Sequence, residues 1–191
     1  MPDKQASSSG VTLKLRLWLF FTIVPAVLFT DLFTKLIVRR TMTAYGETVP
    51  VVQGLVKLRF IYNEGIVFGL KLGLPSKWIL VLVTFSVAFF LIGYIFFSGY
   101  EDRPGLVSLN LIIGGALGNL HDRILYGRVV DFIECGIGEL TWPVFNVADI
   151  AVTCGALLLA VRLLFYSEKT GDKNGPAPRD LPPDRKAPTD S

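Results

Sequence analysis

Apolar residues run in long blocks along this chain, and charged residues gather between the blocks. A helix needs roughly 20 apolar residues to cross a bilayer core. Four stretches reach that length, from about Leu15 to Val38, Lys77 to Phe97, Leu106 to Tyr126 and Val144 to Tyr166. The first follows Lys14 and Arg16, as the apolar part of a secretory leader would. It is too long for one and carries no small-residue cleavage site, so it reads as a retained span. The pattern predicts a mainly α, polytopic membrane protein with four transmembrane helices.

The connections differ in character. Residues 39–76, between the first two spans, include VPVVQGLVKLRFIYNEG, rich in β-branched and aromatic residues with Gly punctuation. That composition predicts a small sheet lying on the membrane surface. A short link, SGYEDRPG, joins spans two and three, and residues 127–143 join spans three and four. Residues 1–14 form a short polar lead-in. The segment 167–191 is polar and Pro-rich, a composition that favours disorder. One membrane unit over 15–166 is the expected organisation.

Composition narrows the class. The 191 residues are 51% hydrophobic with a mean hydropathy of +0.51, and only 18% are charged, against about 25% charged in a soluble domain. This excludes a soluble enzyme, a disulfide scaffold and a disordered regulator. A net charge of +3 is too balanced for a nucleic-acid binder. The two cysteines, Cys135 beside a polar loop and Cys154 in an apolar span, do not suggest a structural disulfide. With His121 as the single histidine, no metal site is expected.

Charge gives orientation only a slight bias. The side holding both termini carries ten Lys and Arg and the other side eight, which favours cytoplasmic termini by the positive-inside rule. Connectivity says more. The end of span one, the end of span three and the start of span four share one side. Asp31, Lys35, Asn119, His121, Asp122, Arg123, Asp131, Asn146 and Asp149 all fall there. The other end has only Asn110 near a span start. Ionisable groups at membrane depth are costly and functional by default, so the pattern points to a site at one membrane surface.

Asp131 and Asp149 are the candidate reacting pair. They stand 18 residues apart across a loop that returns to the membrane, so they can meet at one depth. Two close carboxylates share a proton. The ionised one can activate water while the neutral one donates to a peptide carbonyl. The pattern fits equally well two separate interfacial aspartates that cap helix starts. Asp31 and Lys35, at i and i+4, suit an ion pair holding span one to its neighbours. Asn119, Asp122, Arg123 and Tyr126 share a helix face. Arg123 can pair Asp122, Asp131 or a substrate carbonyl, and Asp122 reads as structural. Gly114, Gly115 and Gly118 suit close helix approach. Asn63 and Gly65 read as a turn. His121 reads as interfacial. A proton-coupled exporter would place its ionisable groups near the midplane, and a membrane scaffold would tolerate Asp→Asn changes. A prepilin-type aspartyl protease would carry a GxGD-type motif, which is absent.

Five segments, DLFTK (31–35), YNEGIVFG (62–69), GGALGNLHDR (114–123), GRVVDFIE (127–134) and FNVADIAV (145–152), carry a resemblance over roughly residues 12–167. In order and spacing the chain resembles lipoprotein signal peptidase, or signal peptidase II, an aspartic peptidase family of bacterial membranes. The resemblance implies removal of signal peptides from diacylglyceryl-modified prolipoproteins just before the lipidated cysteine. Asp131 and Asp149 match the family's catalytic dyad. Asn63, Gly65, Asn119, Asp122, Arg123, Asn146 and Ala148 match positions that bind substrate or support the site, as do Asp31 and Lys35. No metal or cofactor is implied. Globomycin-type inhibitors, membrane lipids and the prolipoproteins are the implied partners. The implied location is the bacterial cytoplasmic (inner) membrane, multi-pass, with both termini cytoplasmic. The site then faces the periplasmic or outer leaflet, and the β-rich loop is extracytoplasmic. Two departures are Ile66 and Val67, where relatives have small residues, and His121, where many have an apolar one.

Overall fold

Helices form where the apolar blocks lie. The structure, a computed structural model, describes residues 11–64, 76–98, 102–138 and 140–171. Helix α1 spans Leu13–Thr41, followed by strands β1 (Val49–Val52) and β2 (Val56–Asn63), then α2 (Ser76–Phe97) and α3 (Arg103–Tyr126). Strands β3 (Val129–Ile137) and β4 (Leu140–Thr141) lead into α4 (Val147–Gly171). Capping residues fix several ends. Thr12 accepts the Leu15 amide at the start of α1, and Asp102 accepts the Gly105 amide at the start of α3. Gly127, at φ 70°, ends α3 in the left-handed conformation that glycine takes without strain.

Three helices, Leu13–Thr41, Trp78–Phe97 and Val147–Phe165, are long and apolar enough to cross a membrane. They leave large apolar side chains such as Phe21, Phe29, Phe89, Phe90, Leu157 and Leu164 exposed, a surface that suits lipid rather than water. This is a multi-pass membrane protein. Helix α3 is 24 residues long, but Ser108, Asn110, Asn119, Asp122 and Arg123 dilute its hydropathy. Its polar positions are turned inward: Ser108, Asn110, Asn119 and Asp122 are all buried, because α3 is the central helix and packs against α1, α2 and α4. Leu19, Val24, Ile95, Leu106, Leu109 and Ile113 form the apolar core between α1, α2 and α3.

The sheet differs from expectation in one respect. It is not confined to residues 39–76. The link between α3 and α4 supplies half of it, in the antiparallel order β1-β2-β3-β4. Ile61 pairs with Asp131 and Asn63 with Val129. Val38, Phe60, Val130 and Phe132 pack the sheet onto the end of α1. Tyr45, at φ 58°, ties the incoming chain to β2 through its amide on the Phe60 carbonyl and its hydroxyl on the Tyr62 carbonyl. Helix α4 runs on to Gly171, past the expected end of the membrane unit at 166. Arg16, counted among flanking charges, is buried and donates to the Ile95 carbonyl at 2.9 Å. Cys135 and Cys154 are free.

Close approach of α3 and α4 depends on Gly115. A β-carbon there would overlap the Ala148 carbonyl oxygen in the first turn of α4. At Gly118 it would fall 2.5 Å from an Asp31 carboxylate oxygen. Gly115→Ala should therefore cost about 1–3 kcal/mol, the usual penalty of overpacking, and lower the unfolding temperature in detergent. Gly93→Ala, where an added methyl meets nothing within 4 Å, should melt close to the parent. Equal melting of the two variants would refute the tight α3–α4 approach.

Candidate active site

One antiparallel bridge sets the geometry. Phe145 pairs with Ile133 of β3, its amide donating to the Ile133 carbonyl at 3.0 Å and its carbonyl accepting from the Phe132 and Ile133 amides. This places Asn146 beside Asp131. Asn146 then begins α4 through a reciprocal cap. Its side-chain oxygen accepts the Asp149 amide at 2.9 Å, while the Asp149 carboxylate accepts the Asn146 amide at 3.1 Å. The remaining side-chain group of Asn146, its NH₂, donates to Asp131 at 2.7 Å and to Asn119 Oδ1 at 3.1 Å. A single asparagine thus holds both candidate carboxylates.

Each carboxylate oxygen of the pair has one donor. Asp131 Oδ1 accepts from Asn146 and Oδ2 from Asn63 at 2.9 Å. Asp149 Oδ1 accepts from Asn119 at 2.8 Å and Oδ2 from the Asn146 amide. All but one of these donors are side-chain amides. Since a carboxylate oxygen has two lone pairs, each keeps room for a water or a substrate atom.

A layer of charge lies beneath. The Lys35 ammonium is 2% exposed. It contacts Asp31 at 2.7 Å and Asp122 at 3.2 Å, and donates to Asn119 Oδ1 at 3.0 Å. Asp31 accepts the Ala148 amide at 2.9 Å, and Asp122 accepts the Val130 amide at 3.2 Å. Those two amides stand one residue before Asp149 and Asp131. The orientation of Asn119 follows, because lysine only donates, so its oxygen faces Lys35 and its NH₂ faces Asp149. Half-buried Arg123 interacts electrostatically with Asp149, Asp131 and Asp122, and makes no ion pair within 4.0 Å among the described residues.

Burial pushes the Asp131 carboxyl up to about 6, and the nearby Asp149 charge adds to the rise. The Asn63 and Asn146 hydrogen bonds and the Lys35 charge pull it back. Asp131 therefore holds a proton well above the ordinary range of an aspartate.

The sequence reading placed all of these residues on one face, and the structure brings Asp31, Lys35, Asn63, Asn119, Asp122, Arg123, Asp131, Asn146, Ala148 and Asp149 to that end. Asn63 is not in a turn but ends β2, with its amide on Asp131. The ion-pair reading of Asp31 and Lys35 and the structural reading of Asp122 both hold. Asp149 does cap its helix, and it does so within the network that holds Asp131. His121 is half-buried, 3.3 Å from Asp122 and edge-on to Tyr126. Gly65, Ile66 and Val67 lie outside the described residues. Sequence reasoning missed Phe145, Tyr45 and Arg128, whose guanidinium sits 3.6 Å from the Tyr62 ring centre. Their roles run through backbone pairing and ring stacking, which leave no spacing signal.

Two cavities flank the pair. One, of about 300 Å³, is lined by Trp142, Phe145, Asp149, Ile150, Thr153 and Cys154. The other, of about 380 Å³, is lined by Tyr45, Ile61, Tyr62, Asn63 and Glu64.

Residues 23–165 match the family model described as Signal peptidase (SPase) II. The lipoprotein signal peptidase of Pelotomaculum thermopropionicum is 46% identical over 156 residues, covering 80% of this chain and 96% of that protein. That of Aquifex aeolicus is 38% identical over 149 residues, covering 78% and 87%. A bacterial membrane enzyme solved by the in meso method at 2.3 Å superposes with a TM-score of 0.70 at 26% identity, covering 88% of this chain and 96% of the other. A second, at 1.9 Å, gives 0.70 at 28% identity, covering 81% and 96%. With the family model spanning most of the chain and the two aspartates set in one polar network at one end of the bundle, this chain belongs to the signal peptidase II family of aspartic peptidases.

Proposed function

We propose that this chain cuts the signal peptide from diacylglyceryl-modified prolipoproteins, just before the lipidated cysteine, with Asp131 and Asp149 as the catalytic dyad. The observation that carries this reading is Asn146, which engages both carboxylates at once. Asp149, in the first turn of α4, is assigned as the base, the role left by a protonated Asp131. Asp131 keeps its proton and is the acid. Asp149 takes a proton from water as the water oxygen bonds to the scissile carbonyl carbon, and Asp131 protonates the carbonyl oxygen. On collapse of the tetrahedral intermediate, Asp149 protonates the departing amine and Asp131 recovers its proton. Asn63 and Arg123 border the path of the peptide and bind its backbone, together with Gly65. Asn119, Asp122, Ala148, Asp31 and Lys35 position the dyad. No metal or cofactor takes part.

The family resemblance supplies the placement in the membrane, and the charge bias of the flanking residues supports it. Helix α3 is read as a fourth span, shielded from lipid by α1, α2 and α4. The membrane unit covers 15–166, flanked by cytoplasmic tails over 1–14 and 167–191. The dyad then faces the periplasmic or outer leaflet of the bacterial inner membrane, with residues 39–76 extracytoplasmic. Globomycin-type inhibitors are expected to occupy the dyad cleft. An exporter is disfavoured because the ionisable cluster lies at one end of the bundle.

In detergent–lipid micelles with a diacylglyceryl prolipoprotein, Asp131→Asn and Asp149→Asn should each lower the cleavage rate by about a thousandfold or more, within the range of general acid–base catalysis, while remaining folded. Folded variants that still cleave would refute the dyad. The pH profile gives a second check. Asp131 acts while protonated, so kcat/KM should fall as pH rises through a group near 6. Asn63 donates to the ionised form, so in Asn63→Ala this basic limb should move to higher pH. A limb that stays in place would remove Asp131 from the role of acid.

A further inference from the structure

Strand β2 carries Asn63 to Asp131, but only part of it is held on both edges. β3 pairs with it as far as Asn63, while β1 covers it only from Val56 to Leu58. Past Leu58, the edge away from β3 has no strand against it among the described residues. Carbonyls two residues apart on a strand point to the same edge, and those of Phe60 and Tyr62 both meet Tyr45. The Tyr45 amide donates to the Phe60 carbonyl at 2.8 Å, and its hydroxyl donates to the Tyr62 carbonyl at 2.9 Å. One residue therefore does on this edge what a strand would do. The Tyr62 carbonyl lies in the same rigid peptide plane as the Asn63 nitrogen, and Tyr45 and Asn63 line one cavity.

The conformation of Tyr45 shows which part of it matters. At φ 58° it lies in the left-handed region, which is unfavourable for a residue with a β-carbon and easy for glycine. A glycine stands next to it at position 46 and does not take that conformation. Position 45 therefore keeps a side chain in spite of the strain. The side chain is 67% exposed, so packing offsets little of it. What the side chain adds is the hydroxyl bond. Backbone strain of this kind persists where the surroundings demand it, and it clusters at functional sites.

We propose that Tyr45 is a positioning residue for Asp131: by holding the peptide plane between Tyr62 and Asn63, it aims the Asn63 amide at the acid. The assignment rests on the peptidase reading above. Tyr45 acts through Asn63, whose amide donates to Asp131 Oδ2 at 2.9 Å. Water can satisfy the Tyr62 carbonyl in place of the hydroxyl, but it does not fix the angle of the plane. Loss of the hydroxyl therefore leaves the fold intact and loosens the Asn63 bond. That bond favours the ionised form of Asp131, so a loosened bond lets the carboxyl keep its proton to a higher pH. The charged groups that act on Asp131 from the other elements, Lys35 of α1, Arg123 of α3 and Asp149 of α4, are untouched by the change.

Two variants test this in detergent–lipid micelles with a diacylglyceryl prolipoprotein. Tyr45→Phe removes the hydroxyl alone, and Tyr45→Gly removes the hydroxyl together with the strain. Each should move the basic limb of kcat/KM to higher pH by about 0.5 unit, the scale of one weakened neutral hydrogen bond. A merely structural role would lower the rate at every pH and leave the limb in place. In an Asn63→Ala background either change should add no further shift, because the bond it acts through is gone. The two variants alter the backbone strain differently, so a shift common to both belongs to the hydroxyl and not to a loss of folding. A limb that stays at the parent position in the folded variants overturns the proposal, and so does a shift that adds in full to that of Asn63→Ala. Parent protein that does not cleave, or folded Asp131→Asn protein that does, brings down the peptidase reading, and this assignment with it.

Discussion

A single buried ammonium organises this site. Lys35 lies in the interior of an apolar bundle, where an unpaired charge costs several kcal/mol. Asp31 and Asp122 neutralise it, and Asn119 takes its remaining hydrogen bond. Each carboxylate in turn accepts a backbone amide, and those amides belong to Ala148 and Val130. The constraint that satisfies Lys35 therefore fixes the start of α4 and the start of β3, one residue before Asp149 and Asp131. Desolvation forces the network to close, and its closure sets the distance between two carboxylates on segments 18 residues apart.

This arrangement needs helices that approach closely, which explains why α3 is rich in glycine at that end. Gly115 lets the first turn of α4 lie against α3, and Gly118 leaves room for the Asp31 carboxylate. A side chain at either position would push the amide of Ala148 away from Asp31. The sheet performs the matching task from outside the bundle. It joins two separate loops through the pairing of β2 with β3, so Asn63 reaches Asp131 from a strand instead of a flexible turn.

Much of this was legible in the sequence, for identifiable reasons. Span lengths follow from hydropathy, and connectivity alone put Asp31, Lys35, Asn119, Asp131 and Asp149 on one side. The i, i+4 spacing of Asp31 and Lys35 foretold their pairing. The register of β2 and β3 was not legible, because it pairs strands from two separate links and no local turn connects them to set it. For that reason Asn63 read as a turn residue and Phe145 carried no role. Arg16 read as a flanking charge because its burial depends on the end of α2, which is 79 residues away. Spacing along one helix shows which residues share a face. It does not show which distant carbonyl or amide that face meets.

The choice of asparagine around the pair has an electrostatic reason. Four carboxylates, Asp31, Asp122, Asp131 and Asp149, gather near two cations, Lys35 and Arg123. Lys35 is already committed to Asp31 and Asp122, so Asp131 and Asp149 are held by Asn63, Asn119 and Asn146 instead of by ammonium or guanidinium contacts. An amide fixes position with a partial charge. A full cation in the place of Asn146 would favour the ionised form of the carboxyl it touches and oppose the effect of burial at Asp131. Burial then outweighs the Asn63 and Asn146 hydrogen bonds and the Lys35 charge at Asp131 and raises its carboxyl to about 6. The structure separates the two tasks: charge pairing holds the bundle together one layer down, and neutral amides hold the Asp131 and Asp149 carboxylates.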